Sequence, residues 1–209
     1  LLIVMLAFSE MDFFDAFCYG LSTMSTGGFA TTDMSLAADR SLYVKIVVVI
    51  FMFLGGVNFA LLYRMGVGDF KHSFRNDPFK WYCRIVLLSY VALCVNIFFS
   101  GAGHTFRDFT IDPLFQAVSI LSSTGLTEPD FSDWGSLSAI VLTIMMFTGA
   151  CAGSTSGGAK IDRIIVLLKF IKNEFYKMMH PNAVTTIAMN GKGTSTILVS
   201  KVLSFLFLY

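Results

Sequence analysis

Two short stretches, Ser25-Thr26-Gly27-Gly28-Phe29 and Ser122-Ser123-Thr124-Gly125-Leu126, hold the residue types that could turn backbone carbonyls toward one axis. A dehydrated cation needs such oxygens in place of its water shell, because carbonyl dipoles hold an ion without trapping it. Successive carbonyls point one way only through unusual backbone angles, which glycine adopts without steric cost. Ser and Thr are small and polar, so such a strand can sit close to the axis. A third stretch, GACAGSTSGGA over 149–159, is also rich in Gly and Ser. It fails as a phosphate-binding loop, since Ala159 stands where Lys is required, Lys160 comes one place late and Ile161 is no hydroxyl. It fails as a nucleophile elbow too, because Thr155 occupies the central Ser position between Gly153 and Gly157.

The elements around these stretches must hold them at depth in a membrane. Of 209 residues, 55% are hydrophobic and 14% charged, well below the quarter usual in soluble domains. A net charge of +1 gives no reason to expect nucleic acid. Apolar runs over 41–63 and 83–100 are expected to span a bilayer, which takes about 20 residues. The run over 137–149 is half a span that breaks into the Gly-rich stretch, and a helical pattern resumes over 161–175. A last run, 197–209, ends with the chain, and Leu1–Phe8 reads as the end of a membrane helix rather than a signal peptide, so a fragment is expected.

Charge gives the orientation. The segments 64–84 and 160–201 hold 12 Lys/Arg against four acids, while the remaining loops hold three against ten, which places the first two in the cytoplasm. Segments 12–25 and 112–123 lie on the acidic side and are too short to cross. Each runs into its Ser/Thr–Gly stretch, which is the pattern of a re-entrant loop lining a cavity. Each short helix would aim its negative C-terminal end inward, where a cation is favoured. The two segments superpose at an offset of 97: Asp15 on Asp112, Ser22 on Ser119, Ser25 on Ser122, Gly28 on Gly125 and Asp33 on Asp130. Beyond them Gly55 pairs with Gly149 at an offset of 94. Internal repeats are a feature of transport proteins.

STGGFATTD (25–33), GGVN (55–58), GACAGSTSGGAKIDR (149–163) and MHPNAV (179–184) resemble the Trk/Ktr/HKT superfamily of potassium transporters, especially the bacterial Trk membrane subunit. The resemblance covers essentially the whole chain. It implies an all-α membrane protein of repeated helix–pore loop–helix units around a central pore, four in the family. The segments then expected are 1–64 (end of the second repeat's first helix, pore loop, second helix), 65–82 (cytoplasmic linker), 83–177 (third repeat), 178–196 (linker) and 197–209 (start of the fourth). It implies filter glycines at Gly28 and Gly125, with carbonyls from Thr26, Gly27, Ser123 and Thr124 beside them. It implies that the third repeat's second helix is broken by an intramembrane gate: Cys151, Ala152, Gly153, Ser154, Thr155, Ser156, Gly157 and Gly158. Potassium would be the transported ion, with no cofactor. The implied setting is the bacterial inner membrane, multi-pass, as a homodimer bound to a cytosolic nucleotide-binding regulatory subunit. Leu126 stands where Phe is common, and Glu128-Pro129 follow where Thr is common.

Plainer readings stand beside these. The Gly-rich stretch also suits a close helix crossing. Gly55 and Gly56 read as packing glycines, and Asn58 as a pore lining or an interhelical bond. Asp33 and Asp130 read as solvated loop acids, His180 as a helix-end residue, and His72 and His104 as isolated. Lys160 and Arg163 suit a cytosolic partner, acidic lipid or the positive-inside bias alike. Cys18, Cys83, Cys94 and Cys151 are spaced as free thiols. A sodium-permeable or sodium-coupled relative is the nearer alternative function; an intramembrane enzyme using Ser154, Cys151 or His180 is the remote one.

Overall fold

The computed structural model describes residues 1–9, 11–32, 41–101, 106–127, 133–181, 183 and 185–209, the side chains of 71, 72, 106–108 and 192 aside. Asp33, Asp130, His104, Glu128 and Pro129 lie outside the described residues, as does the side chain of His72.

Helix α1 (Leu2–Ala7) packs on α2 (Phe13–Met24), the first short helix expected. The run over 41–63 is not one helix. It forms α3 (Leu42–Gly55) and α4 (Phe59–Gly66), bent by 111°. Gly55 and Gly56 close α3, and Asn58 starts α4 by accepting the N–H groups of Ala60 and Leu61 at 2.8 and 3.3 Å. An Asn at this position satisfies donors that a helix start otherwise leaves bare.

After the short α5 (Phe70–Phe74), α6 (Asp77–Ser100) begins six residues earlier than its apolar run. Asn76 caps it and Pro78 sits in its first turn, both ordinary helix-start chemistry. Among the described residues, α6 alone is long and apolar enough to cross a membrane unaided; the α3–α4 pair qualifies if it counts as one span. Leu87, Leu88, Val91, Val95, Phe98 and Phe99 of α6 all face outward. A core helix of a soluble protein would bury such a face.

Helix α7 (Phe106–Leu121) starts before the expected 112–123 and carries Pro113 inside it. It is the centre of the fold, packed against α3, α6 and α8 (Ser136–Thr148), with Phe115, Ala117, Val118 and Leu121 buried. Lys45 of α3 meets Asp112 of α7 at 2.8 Å, and both side chains are largely enclosed. A buried charge survives only with such a partner. After α8 the chain runs irregularly to α9 (Ile161–Met179). A two-residue hairpin, β1 (Ala188–Met189) with β2 (Lys192–Gly193), follows, turned by Asn190 and Gly191 at φ 51° and 76°. That is the Asn-Gly turn favoured by tight hairpins. Helix α10 (Thr196–Leu208) then packs back on α9, where the Arg163 guanidinium lies 4.0 Å from the Phe205 ring centre. All four cysteines are free thiols.

Candidate functional site

The two Ser/Thr–Gly turns are copies of each other in hydrogen bonding as well as in sequence. At the end of α2, the N–H groups of Ser25, Thr26 and Gly27 donate to Leu21, Thr23 and Ser22 carbonyls at 2.9, 3.3 and 2.9 Å. At the end of α7, those of Ser122, Ser123 and Thr124 donate to Val118, Ile120 and Ser119 at 2.9, 3.0 and 2.9 Å, all at the offset of 97. Ser25 Oγ and Ser122 Oγ each donate to the carbonyl three residues back, at 3.3 Å in both. The torsions match too: φ is 53° at Thr26 and 72° at Gly28, and 59° at Ser123 and 80° at Gly125. Left-handed Thr and Ser cost about 1–2 kcal/mol each. The fold holds that strain at the same place twice.

The turns touch. A Cβ on Gly28 would run into the Thr124 carbonyl, so the glycine is required by close approach as well as by torsion. A Cβ on Gly125 would meet no atom among the described residues. The turn after α7 is the better braced: Ser119 Oγ donates to the Leu126 carbonyl, Ser122 and Thr124 hydroxyls lie 2.7 Å apart, and Leu126 is buried. Ser22 Oγ and Thr23 Oγ1, buried in the other copy, have no protein partner among the described residues.

The Gly-rich stretch lies directly against both turns. Thr26 Oγ1 donates to the Thr155 carbonyl at 3.0 Å, and Thr155 Oγ1 donates to the Gly55 carbonyl at 3.2 Å. The hydroxyls of Ser123 and Ser156 are 3.1 Å apart, and Ser156 also accepts the Ala150 N–H at 3.0 Å. The two ends of the loop cross glycine on glycine, Gly149 against Gly157 and Gly158, where side chains would collide. Thr26, Gly28, Ser123, Thr124, Thr155 and Ser156 therefore form one cluster, and Gly157 borders it beside Ser123. Gly27 lies beside Ser25 and Phe29 instead.

The other half of the loop is pinned to the break between α3 and α4. Cys151 N–H donates to the Gly56 carbonyl at 3.1 Å, and Phe59 N–H donates to the Gly153 carbonyl at 3.0 Å. Asn58 Nδ2 donates to the Ala152 carbonyl at 2.5 Å, while Ala152 N–H donates to Asp162 Oδ2 at 2.6 Å. The Ala152 residue is thus gripped from both sides. Asn58 bonds to the Gly-rich loop rather than to another helix, and Gly56 is a packing glycine, pressed by the Tyr82 hydroxyl. Asp162, Tyr82 and the Lys45–Asp112 pair escape the sequence reading. Asp162 had one visible signal, an acid in a first helical turn.

The hydroxyl of Ser154 is engaged with the Cys151 carbonyl at 2.6 Å, and the His180 ring rests 4.7 Å from that of Tyr176. Among the described residues no group of three or more His, Cys, Asp or Glu converges on a metal position.

A family model described as TrkH, cation transport protein, matches residues 3–77 and 107–209. The chain is 31% identical over 208 residues to the Trk system potassium uptake protein TrkG of Escherichia coli (strain K12), covering 99% of this chain and 43% of that protein. It is 30% identical over 204 residues to the Trk system potassium uptake protein TrkH of the same organism, covering 97% and 42%. The crystal structure of the potassium transporter TrkH from Vibrio parahaemolyticus superposes with a TM-score of 0.92 at 29% identity, covering 98% of this chain and 44% of that one. The chain thus spans less than half the length of the relatives it matches.

Proposed function

The chain belongs to the TrkH family of cation transport proteins, and on that premise we propose that it builds two neighbouring walls of a potassium-uptake pore and the gate beneath them. The observation that carries this is the twice-repeated left-handed turn, abutting its copy at Gly28 and Thr124. Torsions that alternate in hand let the carbonyls of Thr26, Gly27, Gly28, Ser123, Thr124 and Gly125 face an ion. The strain at Thr26 and Ser123 fits a site whose geometry is set by function. The loop from Cys151 to Gly158 is the gate, since it lies against both turns through Thr155 and Ser156. No covalent bond is made or broken.

The relatives named above are potassium uptake proteins; the proposed role here is the same, in a bacterial inner membrane that the chain would cross several times. A second copy and a cytosolic nucleotide-binding subunit are the proposed protein partners. The test is rescue of a potassium-uptake-deficient bacterium on low-potassium medium by the full-length gene, beside Gly28→Ser. Rescue lost in the variant, with the protein in the membrane, is expected. A Gly28→Ser protein that rescues as well as the wild type overturns the filter assignment. Wild-type flux of sodium in place of potassium moves the reading to the sodium-permeable relatives.

A further inference from the structure

At the foot of the fold a cavity of about 630 Å³ opens between α4, the start of α6 and the hairpin. Arg64, Arg75 and Lys80 line it, with Asn76, Asp77 and Asn190. Asp77 is the one acid in the wall and is already engaged: Lys169 Nζ lies 3.2 Å from its Oδ2, which also accepts the Asn190 N–H at 3.1 Å. No ion pair among the described residues includes Arg64, Arg75 or Lys80. The helix start adds little, because the Asp77 and Phe79 N–H groups are taken by Asn190 and Asn76 side chains. Lys80 also attracts Asp77, but that carboxylate is shared with Lys169, so the concavity keeps an excess of cations that suits a multiply accepting anion such as a phosphate.

A second observation says where that phosphate comes from. Phe59, Tyr63 and Val67 recur every four residues from α4 into its C-cap, and they are 46%, 75% and 70% exposed. Phe70 and Phe74 of α5 extend this apolar strip, at 53% and 56%. The 14 residues of α3 rise only about 21 Å, against a hydrocarbon core of about 30 Å. With Leu42 set at the outer surface, the 111° bend falls inside the inner leaflet and swings α4 toward the membrane plane. An apolar strip at acyl-chain depth beside a cationic concavity on the positive-inside face fits one molecule that carries both chemistries.

We propose that this cavity holds the phosphate headgroup of an anionic phospholipid, whose acyl chains cover Phe59, Tyr63 and Val67. A free phosphate would use the cations and leave the strip bare. An acidic protein segment would reach the cations from the cytosol and leave it bare as well. The cavity shares Leu61, Asn76 and Asn190 with a smaller one, about 180 Å³, whose wall includes Ala152 and Asp162. The headgroup is therefore one layer of side chains from the Gly-rich loop.

The test is lipid retention by the full-length protein, read by native mass spectrometry with dioleoyl phosphatidylglycerol against dioleoyl phosphatidylcholine. It reads binding alone, so it stands apart from potassium transport. Wild type should retain phosphatidylglycerol preferentially, and Arg64→Gln with Arg75→Gln should weaken retention about 10–30-fold, as expected for two lost cations. Arg64→Lys with Arg75→Lys should keep most of it. Lys80→Gln, on an exposed site of the longest helix, should weaken it severalfold and is the variant to read should the double Gln protein fail to fold. Unchanged phosphatidylglycerol retention in the Gln variants overturns the proposal. So does displacement of the lipid by millimolar inorganic phosphate, which would mark a soluble-anion site. Retained lipid with loss of a co-purifying cytosolic protein would reassign the cavity to that partner and overturn the proposal too.

Discussion

Replacing Asp162 with Ala removes one side of the grip on Ala152 and leaves the other in place. The lost bond is a carboxylate accepting a backbone N–H at 2.6 Å in a half-buried setting. Hydrogen bonds to charged groups contribute about 1.5–3 kcal/mol, and a buried N–H left bare costs about 1–3 kcal/mol more. The closed loop should lose at least about 1.5–3 kcal/mol relative to any arrangement that frees Ala152 to water. At a factor of ten per 1.4 kcal/mol, the resting open-to-closed ratio rises about 10–100-fold. The assay is rubidium or potassium efflux from proteoliposomes holding the whole protein, without activating nucleotide. Asp162→Asn, which keeps an acceptor oxygen but not its charge, should fall between Ala and wild type. Asn58→Asp keeps the acceptor that caps α4 and removes the Nδ2 donor to Ala152, so it should also raise resting flux. Because both groups hold one residue, the double variant should raise flux by less than the product of the singles. Wild-type resting flux in a folded Asp162→Ala protein would refute the reasoning, and the loop would be packing rather than barrier.

Other outcomes follow from the same contacts. Gly28→Ala drives a Cβ into the Thr124 carbonyl, so potassium-over-sodium selectivity should collapse in flux assays; retained selectivity would mean that the turns can part. Gly125→Ala meets no described atom, so only its own torsion, about 1–2 kcal/mol, opposes it; if it damages selectivity as badly as Gly28→Ala, another loop abuts it in the whole protein. Lys45→Met strands the enclosed Asp112 carboxylate and should cost about 3–5 kcal/mol in stability, read as a fall in thermal midpoint; an unchanged midpoint would remove the pair from the account. Gly56→Ala should destabilise by about 1–3 kcal/mol through overpacking on the Tyr82 hydroxyl, with Tyr82→Phe recovering part of it; no recovery would place the clash elsewhere, on Ala150.

The parts of the site that sequence revealed are those written in local composition. Gly with small hydroxyl neighbours announces an unusual backbone, so 25–29 and 122–126 could be picked out and aligned. The Gly-rich stretch interrupts an apolar run, so its place between α8 and α9 was readable. The break at 55–58 was harder, because hydropathy stays high through GGVNFALL and only the Gly-Gly pair with Asn58 as a cap betrays it. Asp112 was read as an outer acid, although its partner Lys45 lies 67 residues away on another helix. No local pattern encodes that pairing. The early start of α6 was legible in Asn76 and Pro78, yet a span judged on hydropathy alone begins where the charges stop. The grip on Ala152 joins residues from two helices and a loop, so it exists only once the fold does.

The meeting of Gly28 with Thr124 is a head-to-tail contact: the surface one copy offers differs from the surface it receives. Contacts of that kind do not terminate by themselves; they either close into a ring or run on as a filament. Gly125 presents the next free head. The four repeats that the family resemblance implies would close such a ring with a right angle at each step. In such a ring every filter glycine is owned jointly, one repeat supplying the missing side chain and its neighbour the oxygen that forbids one. Drift in one turn must then be accommodated by the turn beside it. Selectivity would thus be a property of the closed circle, inherited by no single repeat.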